Sequence, residues 1–266
     1  MKSIFNRATL KGFFSKGKVP TEVQFVNLID SMVNKMDDGF DKTPEDGLRL
    51  SATDKDNNVL SIFKSAGDQI PDWQVSLKQE DSGAGGLSFD RLVTDNDGKV
   101  VKKTVLALAD NGNVGIRTNT PRTALEVGGV LGVATKVGTF KIDQVVGDGS
   151  WKDILMGTDI KGMHAFEIVA RIDGPAKRGK YAITHAIAVS AFGGGCNRVN
   201  QVRAYYGWFW NRIEFRWHGN KATEFTLQVR TNSNYGKKED GTPCMIRFHI
   251  TQLWDDALFQ DINNPA

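Results

Sequence analysis

The chain has 266 residues, 40% of them hydrophobic, and a formal net charge of +3. That is enough for one large domain or two to three small ones with a real core. Acidic and basic residues are interspersed, so charge gives no argument for nucleic acid or a membrane surface as partner. The 28 glycines exceed the average share of roughly 7%. They fall among short apolar runs, which points to many tight turns and an all-β chain.

The first residues carry no secretory pattern, because Lys11, Lys16 and Lys18 interrupt every apolar stretch that could form the apolar centre of a signal peptide. No run approaches the roughly 18 apolar residues of a membrane span. The expectation is synthesis in the cytoplasm without a signal peptide, with release by lysis or as part of a particle.

Residues 1–45 read as helical. Thr21 can cap a first turn, and Gln24 three residues later can bond back to it. Phe25, Leu28, Ile29, Met32 and Met36 recur at three- and four-residue spacing, so the pattern predicts a helix ending near Asp37-Asp38-Gly39. One helix of this length cannot bury its stripe alone. The stripe docks either on the chain's own β-region or around a three-fold axis.

Residues 46–134 read as short strands: Val59–Phe63, Trp73–Leu77, Phe89–Thr94 and Val100–Leu108. Asp95-Asn96-Asp97-Gly98 between the last two is a hairpin signal, because Asp-Gly tolerates positive φ. From Asn111 to Val127, turn residues and single apolar residues alternate tightly. The region looks thin in large apolar side chains and suits a β-shaft or small β-domain. Gly128, Gly129 and Gly132 suggest a pliant joint.

Residues 135–266 differ, holding five of the six Trp residues. Phe166–Ile172, Tyr181–Phe192, Ala204–Trp217, Phe225–Arg230 and Ile246–Leu253 read as strands of an antiparallel sandwich or jelly roll. The fold class expected is therefore mainly β: an N-terminal helix, a thin β-shaft region and a C-terminal antiparallel β-sandwich.

Signs of catalysis are absent from the pattern. His164, His185, His218 and His249 are scattered, and no zinc spacing occurs. Ser190-Ala191-Phe192-Gly193 is no nucleophile elbow, and Gly193-Gly194-Gly195 lacks the Lys of a phosphate loop. Asp54-Lys55-Asp56-Asn57-Asn58 opens like a calcium loop but lacks its Gly, and Ser65 stands where the bidentate Glu belongs. Asp255-Asp256 has no helpers that mark a glycosidase site. No catalytic residue, cofactor or metal is expected. Cys196 and Cys244 allow one bridge, and two free thiols are the simpler reading.

One cluster invites a functional reading. Two-residue alternation through Ala204–Trp217 would place Ile213, Phe215 and Trp217 on a core face. Tyr206, Trp208, Trp210, Arg212, Glu214 and Arg216 would share the other face. That face would continue as Gln228 and Arg230, and as Arg247, His249 and Gln252. Flat aromatics mixed with Arg suit a sister subunit, a partner protein or a glycan. Loops of the same domain could equally cover them.

Three stretches carry a resemblance. Asn111 to Val127 resembles the NGNVGIGT-x-x-P-x-x-x-LEV segment common in tail-fibre proteins of phages and phage-like particles. It departs at Arg117, where that segment has Gly. Leu10 to Ser31, with Asn34-Lys35-Met36-Asp37-Asp38-Gly39, is similar to the start of fibre-type proteins of extracellular contractile injection systems. Thr184–Ala188, Ala204–Trp217 and Ile246–Trp254 are similar to the terminal domain of the same proteins. The resemblance implies a trimeric, non-enzymatic structural part (fibre, spike or cage) at the baseplate of a phage-tail-like particle. Its partners would be its own copies and other particle subunits. The alternatives are a receptor- or glycan-binding adhesin using Tyr206, Trp208, Trp210, Arg212 and Arg216, and a glycan hydrolase carried on a fibre.

Overall fold

The computed structural model describes residues 5–34, 38–52, 55–78, 85–156, 160, 162–176, 178–191, 196–219 and 225–255. The protein is mainly β, with 48% strand and 9% helix, as the turn-rich sequence predicts. The chain divides into two compact units, Met1–Leu131 and Gly132–Ala266.

The first unit opens with two short helices, α1 (Arg7–Phe13) and α2 (Glu22–Asp30). The Asn6 side chain caps α1 by accepting from Thr9 N–H at 2.9 Å. Helix α2 begins after Thr21 as predicted, with Gln24 Oε1 accepting from Thr21 N–H at 2.9 Å. It ends far short of Asp37. Ser31 Oγ donates to the Asn27 carbonyl at 2.7 Å, and the Met32 N–H bonds to Ile29 O three residues back. A hydroxyl that competes for the last carbonyls, with a tightened final turn, closes a helix. Of the predicted stripe, Phe25, Leu28 and Ile29 lie on α2, and Met32 lies past its end. Met36 lies outside the described residues. Phe25 meets Phe14 edge-on at 5.3 Å, yet Phe25, Ile29 and Met32 stay exposed.

A small hairpin follows, β1 (Phe40–Thr43) with β2 (Gly47–Leu50). Then comes one six-stranded sheet in chain order: β3 (Asn58–Ile62), β4 (Trp73–Lys78), β5 (Gly86–Thr94), β6 (Val100–Ala109), β7 (Val114–Ile116) and β8 (Leu125–Val127). Neighbours are antiparallel except β7 and β8. The predicted hairpin joins β5 to β6: Gly98 sits at φ +78°, and Asp95 Oδ1 accepts from the N–H groups of Asp97 and Lys99. Gly115 is a close approach, since a Cβ there would stand 2.3 Å from Thr118 O. Arg117 holds φ +57°. The one departure from the fibre-like segment thus places a bulky side chain where the backbone favours glycine.

Register decides what this sheet presents. Leu60, Val75, Phe89, Leu106, Ile116 and Val127 pair in one unbroken row across all six strands. Leu77, Leu87, Leu108, Val114 and Leu125 form a second row. Directly paired residues share a face, so the sheet has a continuous apolar face, and Leu60, Leu77, Phe89, Leu108, Ile116 and Leu125 on it are exposed. The opposite face turns Ser76, Ser88 and Asp90 inward as buried polar residues. The large apolar residues that the sequence seemed to lack are therefore present but face outward. Among the described residues of this unit, Ala107 and Pro121 are the buried apolar ones.

The second unit holds the hydrophobic core. Its strands are β9 (Lys141–Val146), β10 (Lys152–Met156), β11 (His164–Asp173), β12 (Tyr181–Ser190), β13 (Arg198–Tyr205), β14 (Ile213–His218), β15 (Thr226–Thr231) and β16 (Met245–Asp255). They form a five-stranded sheet, β13-β12-β11-β16-β9, and a three-stranded sheet, β10-β15-β14. Phe166, Ile168, Ile172, Ile246 and Ile250 from the first meet Leu155, Ile213, Phe215, Leu227 and Val229 from the second in one buried cluster. Trp217 packs against it, so the predicted core face of Ile213, Phe215 and Trp217 stands. Cys196 is exposed and Cys244 buried, and both are free thiols.

The run Ala204–Trp217 is not one strand. Gly207 takes φ +83°, Phe209–Asn211 forms a single 3₁₀ turn, and the chain crosses from one sheet to the other. Two-residue alternation therefore does not carry through the turn.

Candidate contact site

The predicted face splits in two. Tyr206, Trp208 and Trp210 sit on the loop between β13 and β14, whereas Arg212 immediately precedes β14 and Arg216 lies on it, in the three-stranded sheet. Arg247, His249 and Gln252 lie on β16 in the other sheet, so they do not continue the face. His249 does point away from buried Phe248 and Ile250, and its Nδ1 accepts from Gly138 N–H at 3.0 Å.

The loop is an exposed aromatic cluster. Trp208 keeps 67% of its surface open, and Tyr205, Tyr206, Phe209 and Trp210 are also exposed. Trp208 and Trp210 stack nearly parallel, 5.1 Å between ring centroids and 7° between planes. Phe209 meets Trp210 edge-on at 5.0 Å. Tyr181 and Tyr206 meet edge-on at 6.5 Å beside an apolar groove of about 470 Å³ lined by Arg171, Tyr181, Ile183, Ala204, Tyr205 and Tyr206.

What holds so much apolar surface in water is a buried polar anchor. Asn211 is buried, its Nδ2 donates to Tyr206 O at 2.8 Å, and its N–H donates to Trp208 O at 2.9 Å. The Tyr235 hydroxyl donates to Asn211 O, and burial pushes that hydroxyl well above the usual tyrosine range, so it stays protonated. Gly179 lies under the Tyr206 ring, where a Cβ would come within 2.8 Å of the ring. These contacts hold the loop in one shape.

The charged half is satisfied within the chain. Glu214 takes Arg212 at 2.7 Å and Arg230 at 2.9 Å. Arg216 Nε donates to Gln228 Oε1 at 2.9 Å, and Gln228 and Thr226 both donate to Asp153 Oδ1. The Arg216 and Arg230 guanidinium carbons lie 4.1 and 4.4 Å from the Trp151 ring centroid. Gln228 and Arg230 thus do extend this face, opposite Arg216 and Glu214. Arg212 links the two halves, 6.0 Å from the Phe209 ring.

The sequence pattern does not single out Trp151, Phe209, Tyr205, Asn211 and Tyr235. Gly207 amid five aromatic residues was the available signal, because a glycine there marks a turn. Among the described residues, no group of three or more His, Cys, Asp or Glu is placed to hold a metal ion. No described helix is long and apolar enough to cross a membrane.

No family model and no curated protein matches the sequence. Among solved structures, the tailspike protein gp49 from Acinetobacter baumannii bacteriophage Fri1, a capsular polysaccharide depolymerase, matches 42% of this chain and 19% of its own. Its identity is 12% and its TM-score 0.27. The Acinetobacter phage vB_ApiP_P1 tailspike matches 46% of this chain and 24% of its own, with 11% identity and TM-score 0.25. This chain spans a quarter or less of the length of those tailspikes. Likeness at this level fixes neither fold nor function.

Proposed function

We propose that the chain is a non-enzymatic structural part of a phage-tail-like particle, at the baseplate of a contractile injection system, and that it acts as a homotrimer. The observation that carries the assembly is the apolar face of the six-stranded sheet, registered over every strand and exposed. Contiguous apolar faces of that kind mark association surfaces. The outward Phe25, Ile29 and Met32 add a second one. The particle class rests on the three sequence stretches that resemble such fibre-type proteins. In this reading residues 1–45 anchor or trimerise, residues 46–134 form a shaft, and residues 135–266 make lateral or target contacts. Light scattering on the purified chain tests it: a trimer is expected, and a folded monomer at micromolar concentration overturns it.

A second reading has its own support. The exposed Trp208–Trp210 stack suits an adhesin that grips a surface glycan or receptor. Trp208→Ala with Trp210→Ala then abolishes target-cell binding while the trimer persists. If the trimer dissociates instead, the loop is a subunit contact. Release of sugar from capsular polysaccharide by the purified chain would overturn the non-enzymatic part of the proposal.

A further inference from the structure

The six-stranded sheet is built inside out, and its inner face holds chemistry that the assembly does not use. Ser76 on β4 stands opposite Ser88 on β5, and Asp90 stands opposite Thr104 on β6. The Asp90 side chain is 1% exposed. Its Oδ2 accepts from Ser88 Oγ at 2.7 Å and Ser76 Oγ at 3.4 Å, with Lys102 Nζ also 3.4 Å away. Lys102 Nζ further donates to Ser76 Oγ and Asn58 Oδ1. Among the described residues, the other oxygen, Oδ1, is buried without a hydrogen bond, and so is Lys78 Nζ. A buried polar atom left unmade costs about 1–3 kcal/mol, more when charged. Lys78 and Asp90, which carry these two atoms of opposite character, both line one hollow of about 460 Å³, with Asp56 exposed among its other lining residues. That volume falls within the roughly 300–1,000 Å³ of small-molecule sites.

We propose that this hollow binds a small carboxylate that also carries a hydroxyl. The carboxylate pairs with Lys78, and the hydroxyl donates to Asp90 Oδ1. Thr104 and Asn119, which also line the hollow, are available to further ligand oxygens. A plain carboxylate offers Asp90 no donor and sets a like charge beside it. A neutral sugar leaves the lysine without an anion. Both features are therefore needed in one molecule. Burial lowers the Lys78 pKa, with the Asp90 charge opposing and Lys102 reinforcing that shift, so an incoming anion restores what burial removes. Such a ligand could be a free hydroxy acid or a uronic-acid residue of a polysaccharide. The site lies on the face opposite the apolar rows, so its failure and the failure of the trimer reading are distinguishable.

Titration calorimetry on the full chain tests it, with D-lactate and D-glucuronate as probes and acetate and D-glucose as controls. At least one probe should bind saturably, about tenfold or more tighter than either control. Binding by glucuronate alone assigns the uronic source; equal binding by lactate assigns the free acid. Lys78→Met and Asp90→Asn should each weaken binding about tenfold, with circular dichroism checking the fold. Lys78 is only half-buried, so its variant keeps the test alive should Asp90→Asn not fold. Three results each overturn the proposal: no saturable binding by either probe at tens of millimolar, controls that bind equally well, or affinity unchanged in Lys78→Met.

Discussion

Leu108 offers the sharpest test of the assembly. It stands on β6 between Leu87 and Val114 in the second apolar row and is 39% exposed in the single chain. If copies pack face to face there, each chain hides the remaining two fifths of one leucine, worth about 1 kcal/mol. Three copies multiply that, so Leu108→Ala should weaken the trimer by about 3 kcal/mol, or roughly a hundredfold in its association constant. Leu108→Asp goes further. It places three carboxylates in apolar contact without partners, at several kcal/mol each. In an isolated chain the same aspartate keeps its access to water and costs only about 1 kcal/mol of strand preference. The two situations therefore separate cleanly. Size exclusion with light scattering, at micromolar concentration, should show wild type as a trimer and Leu108→Asp as a folded monomer or an unfolded first unit. A Leu108→Asp chain that remains trimeric would refute the use of this face.

Three further outcomes follow from single side chains. Arg117 sits at φ +57°, which costs a non-glycine residue about 1–2 kcal/mol; Arg117→Gly should raise stability in urea melts by less than about 1 kcal/mol, the gain being trimmed by the looser unfolded chain. Tyr235→Phe removes the donor to Asn211 O and should cost about 1–3 kcal/mol, with a change in tryptophan fluorescence as the Trp208–Trp210 stack loosens. Asp148 is held down to about 2 from 3.8, chiefly by the Ser150 hydroxyl and also by Lys152. Its folded pKa lies below its unfolded value, so its contribution is full above pH 3.8 and vanishes as pH falls through about 2. Melting temperature in that window should therefore fall more steeply for wild type than for Asp148→Asn.

Local patterns were legible and long-range ones were not. The Thr21–Gln24 start, the Asp95–Gly98 hairpin and the alternation in β11, β15 and β16 each depend on neighbours a few residues apart, so they read directly from the chain. Helix α1 does not read from the sequence, because seven residues make too short a periodic window. Helix α2 stopped early because a hydroxyl bond from Ser31 to Asn27 competes with continued periodicity. The candidate face failed at Gly207, where a turn resets the alternation and sends the strand to a different sheet. Nothing local tells β15 to pair with β14 and β10 while β16 pairs with β11 and β9. The core of the second unit chooses that. For the same reason the first region looked poor in apolar residues. They are spread one or two to a strand, and only pairing aligns them into rows.

That alignment sets the thermodynamics of the two units apart. The second unit buries its apolar rows between two sheets, so its stability is internal. The first unit buries Ser76, Ser88 and Asp90 and exposes Leu60, Leu77, Leu108 and Leu125, so hydrophobic burial contributes little to a lone copy. In a lone copy its hydrogen-bonded ladder and the Asp90 network are what hold it. If copies associate through the apolar face as proposed, folding and association are linked, and the apparent stability of this unit rises with protein concentration. Scanning calorimetry at several concentrations separates the two contributions. The transition of the first unit should move upward with concentration, while that of the second stays fixed. If both transitions hold their positions over a hundredfold range, the first unit is sustained by its own contacts and the outward leucines serve some other purpose than self-assembly.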